Sequence, residues 1–325
     1  MNELSRCFIN QYQGGFPVVE HPYSTVAANL GTDETTLIAA IEGLLSDSIL
    51  SRFGPMYDAV GIGGGLTLAA MFVPEGKFAQ VAEQINSRPE VAHNYRRQHA
   101  LNMWFVIATE TPALLQKTIA GIEQLTGLPV YSFPKIQTFY LGLWLSLDDS
   151  GGVKTHSIEG PTQQGGMKID RLDRSIIQAT QGGLALQSAP FSVVAKYCGC
   201  DTQTVMNRIQ CMLDCGVIRR IGAVPNHYRL GLGSNGMSVW DVADNRLEAL
   251  GEQVGKLDFV SHCYERPRHL PLWPYNLYAM VHGHDQDEVD YKVSRIAELL
   301  DSDCRQHEVL VSSRILKKSG LRLVA

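Results

Sequence analysis

Apolar positions alternate between helical and strand spacing along this chain, and they do so twice in the same order. Residues 3–12 and 170–180 carry helical spacing, with Leu172, Ile176 and Ile177 on one face, as do 23–30 and 191–198. Thr32-Asp33 and Asp201-Thr202 offer N-cap chemistry ahead of third helices at 34–47 and 202–215. Three short helices with a tight turn before the last predict a helix-turn-helix. Arg52-Phe53-Gly54 and Arg219-Arg220-Ile221-Gly222 then lead into wing-like hairpins. A strand at 66–73 follows, then a helix at 75–87, strands near 91–97 and 102–108, a helix at 111–125 and a last strand within 129–146. The second half repeats this at 236–243, 246–256, 259–266, 276–282, 286–300 and 306–324. The order βαββαβ predicts a ferredoxin-like sandwich with its helices on one face of the sheet.

The two halves are copies. Leu4-Ser5-Arg6, Gln13-Gly14-Gly15-Phe16 and Pro22-Tyr23 recur as Leu172-Asp173-Arg174, Gln181-Gly182-Gly183-Leu184 and Pro190-Phe191, all at an offset of 168. Gly31-Thr32-Asp33 matches Gly199-Cys200-Asp201, and Val91 to Arg97 matches Val260 to Arg266 after a small gap. The expected organisation is a unit at 1–147 (helix-turn-helix 1–60, ferredoxin-like 61–147) and a unit at 167–325 (helix-turn-helix 167–230, ferredoxin-like 231–325). Residues 148–166 between them, rich in Gly, Ser, Gln and Pro without apolar period, read as a flexible linker. Such a linker lets the copies pack as a dimer within one chain. The fold class is therefore α+β, as an intrachain pseudo-dimer, and two chains could associate further as a homodimer.

Composition narrows the function. Of 325 residues, 45% are apolar and 19% charged, the profile of a globular protein. No apolar run approaches the roughly 18 residues of a membrane span, and the start Met1-Asn2-Glu3-Leu4-Ser5-Arg6 lacks the pattern of an export signal. With seven cysteines, an odd count in mostly apolar contexts, this suggests reduced thiols in the cytoplasm. Net charge is −5, but residues 161–325 hold 19 of the 28 Lys and Arg.

A helix-turn-helix followed by βαββαβ resembles the Lrp/AsnC family, which implies a DNA-binding regulator whose second domain binds an amino acid. The residues argue against DNA. The first third helix opens Asp33-Glu34-Thr35-Thr36 and carries three acids and no base, and the second, Asp201 to Arg208, has a single Arg. No nucleic-acid partner is expected. Chemistry collects instead in the second copy. Arg219-Arg220 and His227 lie within ten residues, and His262, Tyr264 and Arg266 share one strand face at period two. Trp273-Pro274-Tyr275-Asn276-Leu277-Tyr278 brings aromatics and an amide to the next strand. Forked cations suit carboxylates, imidazole suits proton transfer, and aromatic faces suit a planar ring. The set fits a large, flat polycarboxylate.

Gly216 to Ala223, Asn226-His227, His262 to Pro267 and Trp273 to Gly283 resemble the siroheme decarboxylases, Lrp-like proteins of heme d1 and alternative heme biosynthesis. The first copy, with His93-Asn94-Tyr95-Arg96-Arg97 and Asn102-Met103-Trp104-Phe105, is similar to the NirD half of the fused NirDL type, and the second copy to its NirL half. The resemblance covers nearly all of the chain outside the linker. It implies loss of two acetate carboxyls from siroheme to give 12,18-didecarboxysiroheme, with no cofactor beyond the iron that the substrate carries. Arg219, Arg220 and Arg266 are the candidates for gripping carboxylates. Trp273, Asn276 and Tyr278, with His93, Tyr95 and Arg97 from the first copy, are candidates for further substrate contacts. His262 or His227 would donate the proton, with Tyr264 orienting the donor, while either imidazole could instead ligate the substrate iron; the residues leave these roles open. Because the first copy has Arg52 alone where the second has Arg219-Arg220, and nothing matching His227, one principal site in the second copy roofed by the first is expected. A non-catalytic tetrapyrrole sensor would share this pocket.

Other signals carry less. Gly61-Ile62-Gly63-Gly64-Gly65 precedes a strand, so it fails the context of a phosphate loop. Cys198, Cys200, Cys211 and Cys215 match no standard metal spacing. His282-Gly283-His284 reads as exposed imidazoles at a strand end, and the basic Arg314, Lys317, Lys318 and Arg322 as a solvated edge.

Overall fold

The computed structural model describes residues 1–150, 152–156 and 167–318. In the first copy, α1 (Glu3–Gln11), α2 (Pro22–Asn29) and α3 (Glu34–Ser46) precede β1 (Leu50–Tyr57). Then come β2 (Gly65–Met71), α4 (Phe78–Asn86), β3 (Val91–Arg97), β4 (Met103–Thr109), α5 (Pro112–Thr126), β5 (Tyr131–Phe133) and β6 (Gln137–Leu141). A hairpin of β7 (Trp144–Leu147) and β8 (Val153–His156) follows. The second copy runs α6 (Arg171–Thr180), α7 (Pro190–Cys198), α8 (Thr202–Asp214) and β9 (Ile218–Pro225). It continues with β10 (Ser234–Val242), α9 (Leu247–Gly255), β11 (Val260–Glu265), β12 (Leu277–Gly283), α10 (Gln286–Leu300) and β13 (Cys304–Lys318). Local chemistry repeats as well. Asp33 and Asp201 each cap their third helix by accepting from the amide of Thr36 and Thr204, and Pro22 and Pro190 each start a second helix.

The copies are joined by exchange of strands. Nine strands form one sheet in the order β5-β2-β4-β3-β13-β10-β12-β11-β6. β13 pairs with β10 of its own copy and with β3 of the other, placing Ser312 opposite Arg97 and Lys318 opposite His93. β6 crosses in the reverse sense to β11, placing Leu141 opposite His262. The single last strand expected over 129–146 is broken, because Pro134 has no N–H to give a ladder. Beyond it the chain resumes on the other copy, where the Ile136 amide donates to Glu265. Since β5 and β6 sit at opposite ends of the strand order, the two half-sheets face each other. Between them lies a core of Ala70, Trp104, Phe133, Val239, Trp273, Tyr278 and Leu310. Each half-sheet packs its outer face on its own two helices.

Two expectations are corrected. The wing-like hairpins are absent: β1 pairs antiparallel with β9 of the other copy, Phe53 opposite Ala223 and Gly54 opposite Gly222. Each strand finds in its repeat the partner that a hairpin would have supplied, and the two helix-turn-helix units share one core around this ribbon. The span 148–166 is not wholly a linker, since Val153 to His156 form β8; residues 157–166 lie outside those described. The β7–β8 hairpin is held by side-chain amides acting as a strand. Asn10 exchanges two hydrogen bonds of 2.9 Å with the backbone of Leu147, and Gln13 exchanges bonds of 2.6 and 3.0 Å with Leu145.

Gly54 and Gly222, opposite each other on the ribbon, each lie tightly against a loop of the other copy. A Cβ on Gly54, whose φ is +142°, would lie 2.6 Å from the amide nitrogen of Leu184, and one on Gly222 would strike the carbonyl oxygen of Tyr12. Gly222→Ala should therefore lower the stability of the whole chain by about 1–3 kcal/mol, the usual scale of overpacking. Gly43→Ala, on an open helix face, should leave stability unchanged or raise it by up to about 1 kcal/mol. Thermal or urea unfolding reads both, and wild-type stability for Gly222→Ala would contradict the close-approach account.

Candidate active site

A pocket of about 250 Å³ opens between the facing half-sheets, lined by residues of both copies. β11 supplies His262 and Tyr264, which alternation turns to the inner face, and Arg266 follows at the strand end. β9 supplies Arg219, and the turn between β5 and β6 supplies Lys135. Tyr57, Asp58 and Ala59 enter from the end of β1, while Leu66, Leu68 and Val106 of the first copy form an apolar wall.

Three cations meet one carboxylate in this lining. Arg266 donates from Nη1 to the carbonyl of Phe133 and lies 5.1 Å over the Tyr264 ring and 5.5 Å over Tyr278, with its Nε buried and unpartnered. Lys135 Nζ stands 5.3 Å from the Tyr264 ring. Burial lowers the pKa of Lys135 and Arg266, since a desolvated cation is costly without an anion. Burial, and then Arg219, Lys135 and Arg266, hold His262 down to about 3. Burial raises Tyr264 to about 12. At neutral pH the pocket presents cations around an uncharged imidazole.

The expected partner of His262 differs. Tyr264 makes no hydrogen bond to it. Ser261, at a bulge between Val260 and His262, holds Nδ1 of His262 at 2.8 Å and Nε2 of His282 at 2.7 Å through one hydroxyl. This leaves Nε2 of His262 for a ligand. His282, expected at an exposed strand end, is 3% exposed and also bonded to Asn235.

Of the expected site residues, the fold brings His262, Tyr264, Arg266 and Arg219 together. Arg220 is turned to the opposite side of its strand, where it donates to the Gln13 carbonyl at 2.5 Å and lies 4.8 Å over Trp144. Trp273 is fully buried, and its indole donates to the Tyr278 hydroxyl at 2.7 Å while packing on Trp104 and Phe133. Asn276 clips the backbone of Val242 with two bonds of 3.0 Å. These residues build the walls and do not reach the pocket, and Tyr278 only backs Arg266. His227 lies outside the pocket lining, beside Tyr228 and His282, with ring centroids 4.2 and 5.0 Å away. There it joins His93, Tyr95 and Arg97 in a second cluster. Lys135, Asp58 and Ser261 were missed, because a lone Lys, Asp or Ser in a turn or bulge carries no pattern in one sequence.

In the basic C-terminal segment, residues 312–318 pair along β3 and Lys317 donates to the carbonyls of Asn86 and Arg88, while Arg314 and Lys318 stay exposed and Arg322 lies outside the described residues. Arg208, the lone base of α8, is tied to Asp170 and lies 3.2 Å from Asp173. The described cysteines are free thiols, and no metal-binding group of His, Cys, Asp and Glu occurs among the described residues. No described helix is long and apolar enough to cross a membrane.

Four histidines titrate low for one main reason, burial: His93 and His227 at about 4, His262 at about 3, and His282 well below its ordinary value. Unfolding frees each to take up a proton below about pH 6.5, so the unfolded chain binds more protons and stability falls as pH drops. Tm should decline from pH 7 to pH 5, and more shallowly in His93→Gln. A Tm flat across that window would contradict the buried neutral assignment.

Comparison with known proteins gives this geometry a family. Residues 62–139 and 229–317 match the AsnC-like ligand binding domain, and residues 6–50 and 173–219 match the siroheme decarboxylase NirDL-like HTH domain. The siroheme decarboxylase NirH subunit of Pseudomonas aeruginosa is 55% identical over 152 residues, 47% of this chain and 89% of that protein. The NirG subunit of Stutzerimonas stutzeri is 50% identical over 44% of this chain and 97% of its own length. The siroheme decarboxylase of Hydrogenobacter thermophilus is 29% identical over 95% of this chain and 92% of that protein. The crystal structure of the siroheme decarboxylase NirDL superposes with a TM-score of 0.74 at 26% identity, covering 99% of this chain and 93% of that one. Its complex with an iron-uroporphyrin III analogue superposes equally well. The chain belongs to the siroheme decarboxylase family, with two units of that family's kind joined in one polypeptide.

Proposed function

We propose that this protein is a carboxy-lyase that removes two acetate carboxyls from siroheme, giving 12,18-didecarboxysiroheme for heme d1 or alternative heme synthesis. The observation that carries the reading is the pocket between the copies, where Arg219, Lys135 and Arg266 surround a neutral, oriented His262. A space of about 250 Å³ is below the usual size for a whole drug-sized ligand. It suits one acid arm and the pyrrole that bears it, with the rest of the macrocycle outside.

In the proposed reaction the carbon–carbon bond of the acetate breaks and carbon dioxide leaves. The electron pair stays on the methylene carbon and spreads into the conjugated ring, and a proton added there leaves a methyl group. The cations hold the carboxylate still in a desolvated place. Their charge is offset by the acid arms of the substrate, which removes the repulsion that adds to burial in holding His262 unprotonated. His262 then takes up and delivers the proton from Nε2, with Ser261 fixing the ring. Tyr264 supports the bound arm beside Arg266 and Lys135.

Anaerobic incubation with siroheme, followed by mass measurement of the pigment, tests this. Loss of two carboxyls is expected, whereas a pigment bound and returned unchanged would mean a sensor and sink the reading. His262→Ala should bind siroheme within a few-fold of wild type yet form product at least about 100-fold more slowly, the scale of general acid catalysis. Wild-type turnover would remove His262 from the mechanism. Lys135→Ala and Arg266→Ala should each weaken pigment binding about tenfold or more, as expected for a lost charge-assisted contact. Unchanged affinity in a spectral titration would contradict the clamp.

A further inference from the structure

The second cluster repeats the first across the internal pseudo-twofold. In the pocket, Arg266 donates to the carbonyl of Phe133, lies 5.1 Å over Tyr264, and leaves Nε buried without a partner. In the cluster, Arg97 donates to the carbonyl of Leu310, lies 5.8 Å over Tyr95, and likewise leaves Nε buried without a partner. The imidazole-to-phenol spacing is 6.0 Å for His262 and Tyr264 and 6.2 Å for His93 and Tyr95. The same three side chains thus hold the same arrangement on the opposite half-sheet.

What surrounds them differs. Leu141, opposite His262, is replaced by Lys318 opposite His93. Lys318 is near enough to His93 and His227 to help hold both unprotonated, and its Nζ lies 5.2 Å over the Tyr228 ring. Arg97 is 8% exposed and faces no carboxylate among the groups that influence its charge. His93 Nδ1 and Ser312 Oγ, the latter on the residue opposite Arg97, are also buried without a hydrogen-bond partner among the described residues. Arg97 Nε, His93 Nδ1 and Ser312 Oγ are thus three orphaned polar atoms on the paired strands β3 and β13. A fold tolerates such a group when a ligand completes it.

We infer that this cluster is a second binding site for a flat polycarboxylate tetrapyrrole, with Arg97 and Lys318 taking its acid arms and His93 and Tyr95 lying against the ring. The inference rests on the function proposed above and extends it: the chain holds two pigments at pseudo-equivalent sites, one on each half-sheet. The first copy is then no mere roof. Its strand β3 carries the second site as β11 carries the first, and each site is completed by residues of the other copy.

Stoichiometry decides this. Iron uroporphyrin III titrated into the full-length protein, followed by Soret absorbance and native mass spectrometry, should saturate at two equivalents per chain. Arg97→Gln and Lys318→Ala should each weaken one equivalent about tenfold or more and leave the other unchanged, while Arg266→Gln should do the converse. Lys318 is exposed, so its variant answers the question even where Arg97→Gln fails to fold. Saturation of the wild type at one equivalent, or two equivalents retained by both Arg97→Gln and Lys318→Ala, would overturn the second site alone. No pigment bound at all would overturn the proposed function, and this inference with it.

Discussion

Exchange of the last strands is the constraint on which everything else depends. β6 leaves its own copy to pair with β11, and β13 runs on from β10 of its own copy to pair with β3 of the other, so neither copy has a finished sheet by itself. An unpaired edge would be open to further association; here the tandem repeat covers the β3 edge with β13 and the β11 edge with β6 within one chain. The same exchange places Lys135, in the turn that lets β6 cross, against Tyr264 of the other copy, and Lys318 of β13 opposite His93. The sites are products of the pairing and are not owned by either half.

Electrostatics then explains why such a fold should hold a ligand. Buried Arg and Lys side chains lose hydration that a single nearby carboxylate, Asp58, does not replace. A polycarboxylate does replace it. The apolar wall of Leu66, Leu68 and Val106 lowers the local dielectric and strengthens each such contact. Helix-turn-helix units, meanwhile, serve packing. Their shared core is organised around the β1–β9 ribbon, and the one base of α8 is spent on the Asp170–Asp173 cap.

Much of this was legible in the chain. The repeat at an offset of 168 and the change of apolar period announced two βαββαβ units, and the caps at Asp33 and Asp201 announced the third helices. Strand alternation placed His262, Tyr264 and Arg266 on one face. It also separates Arg219 from Arg220, so two adjacent guanidiniums never could share the pocket. Long-range pairing was not legible, because period says which face is buried and not which strand lies alongside. That is why β1–β9 was read as two hairpins and the pairing of β13 with β3 went unseen. Trp273 and Asn276 read as ligand contacts from their residue types beside the His262 strand, but a large aromatic ring and a backbone-clipping amide serve a core equally well.

The central claim is that acid arms enter between the copies, against Arg219, Lys135 and Arg266. A structure of the siroheme complex measures this directly. An acetate arm should lie within hydrogen-bond distance of at least two of these cations, with Nε2 of His262 near its methylene carbon. Acid arms turned to solvent, with the cleft between the half-sheets left vacant, would contradict the account.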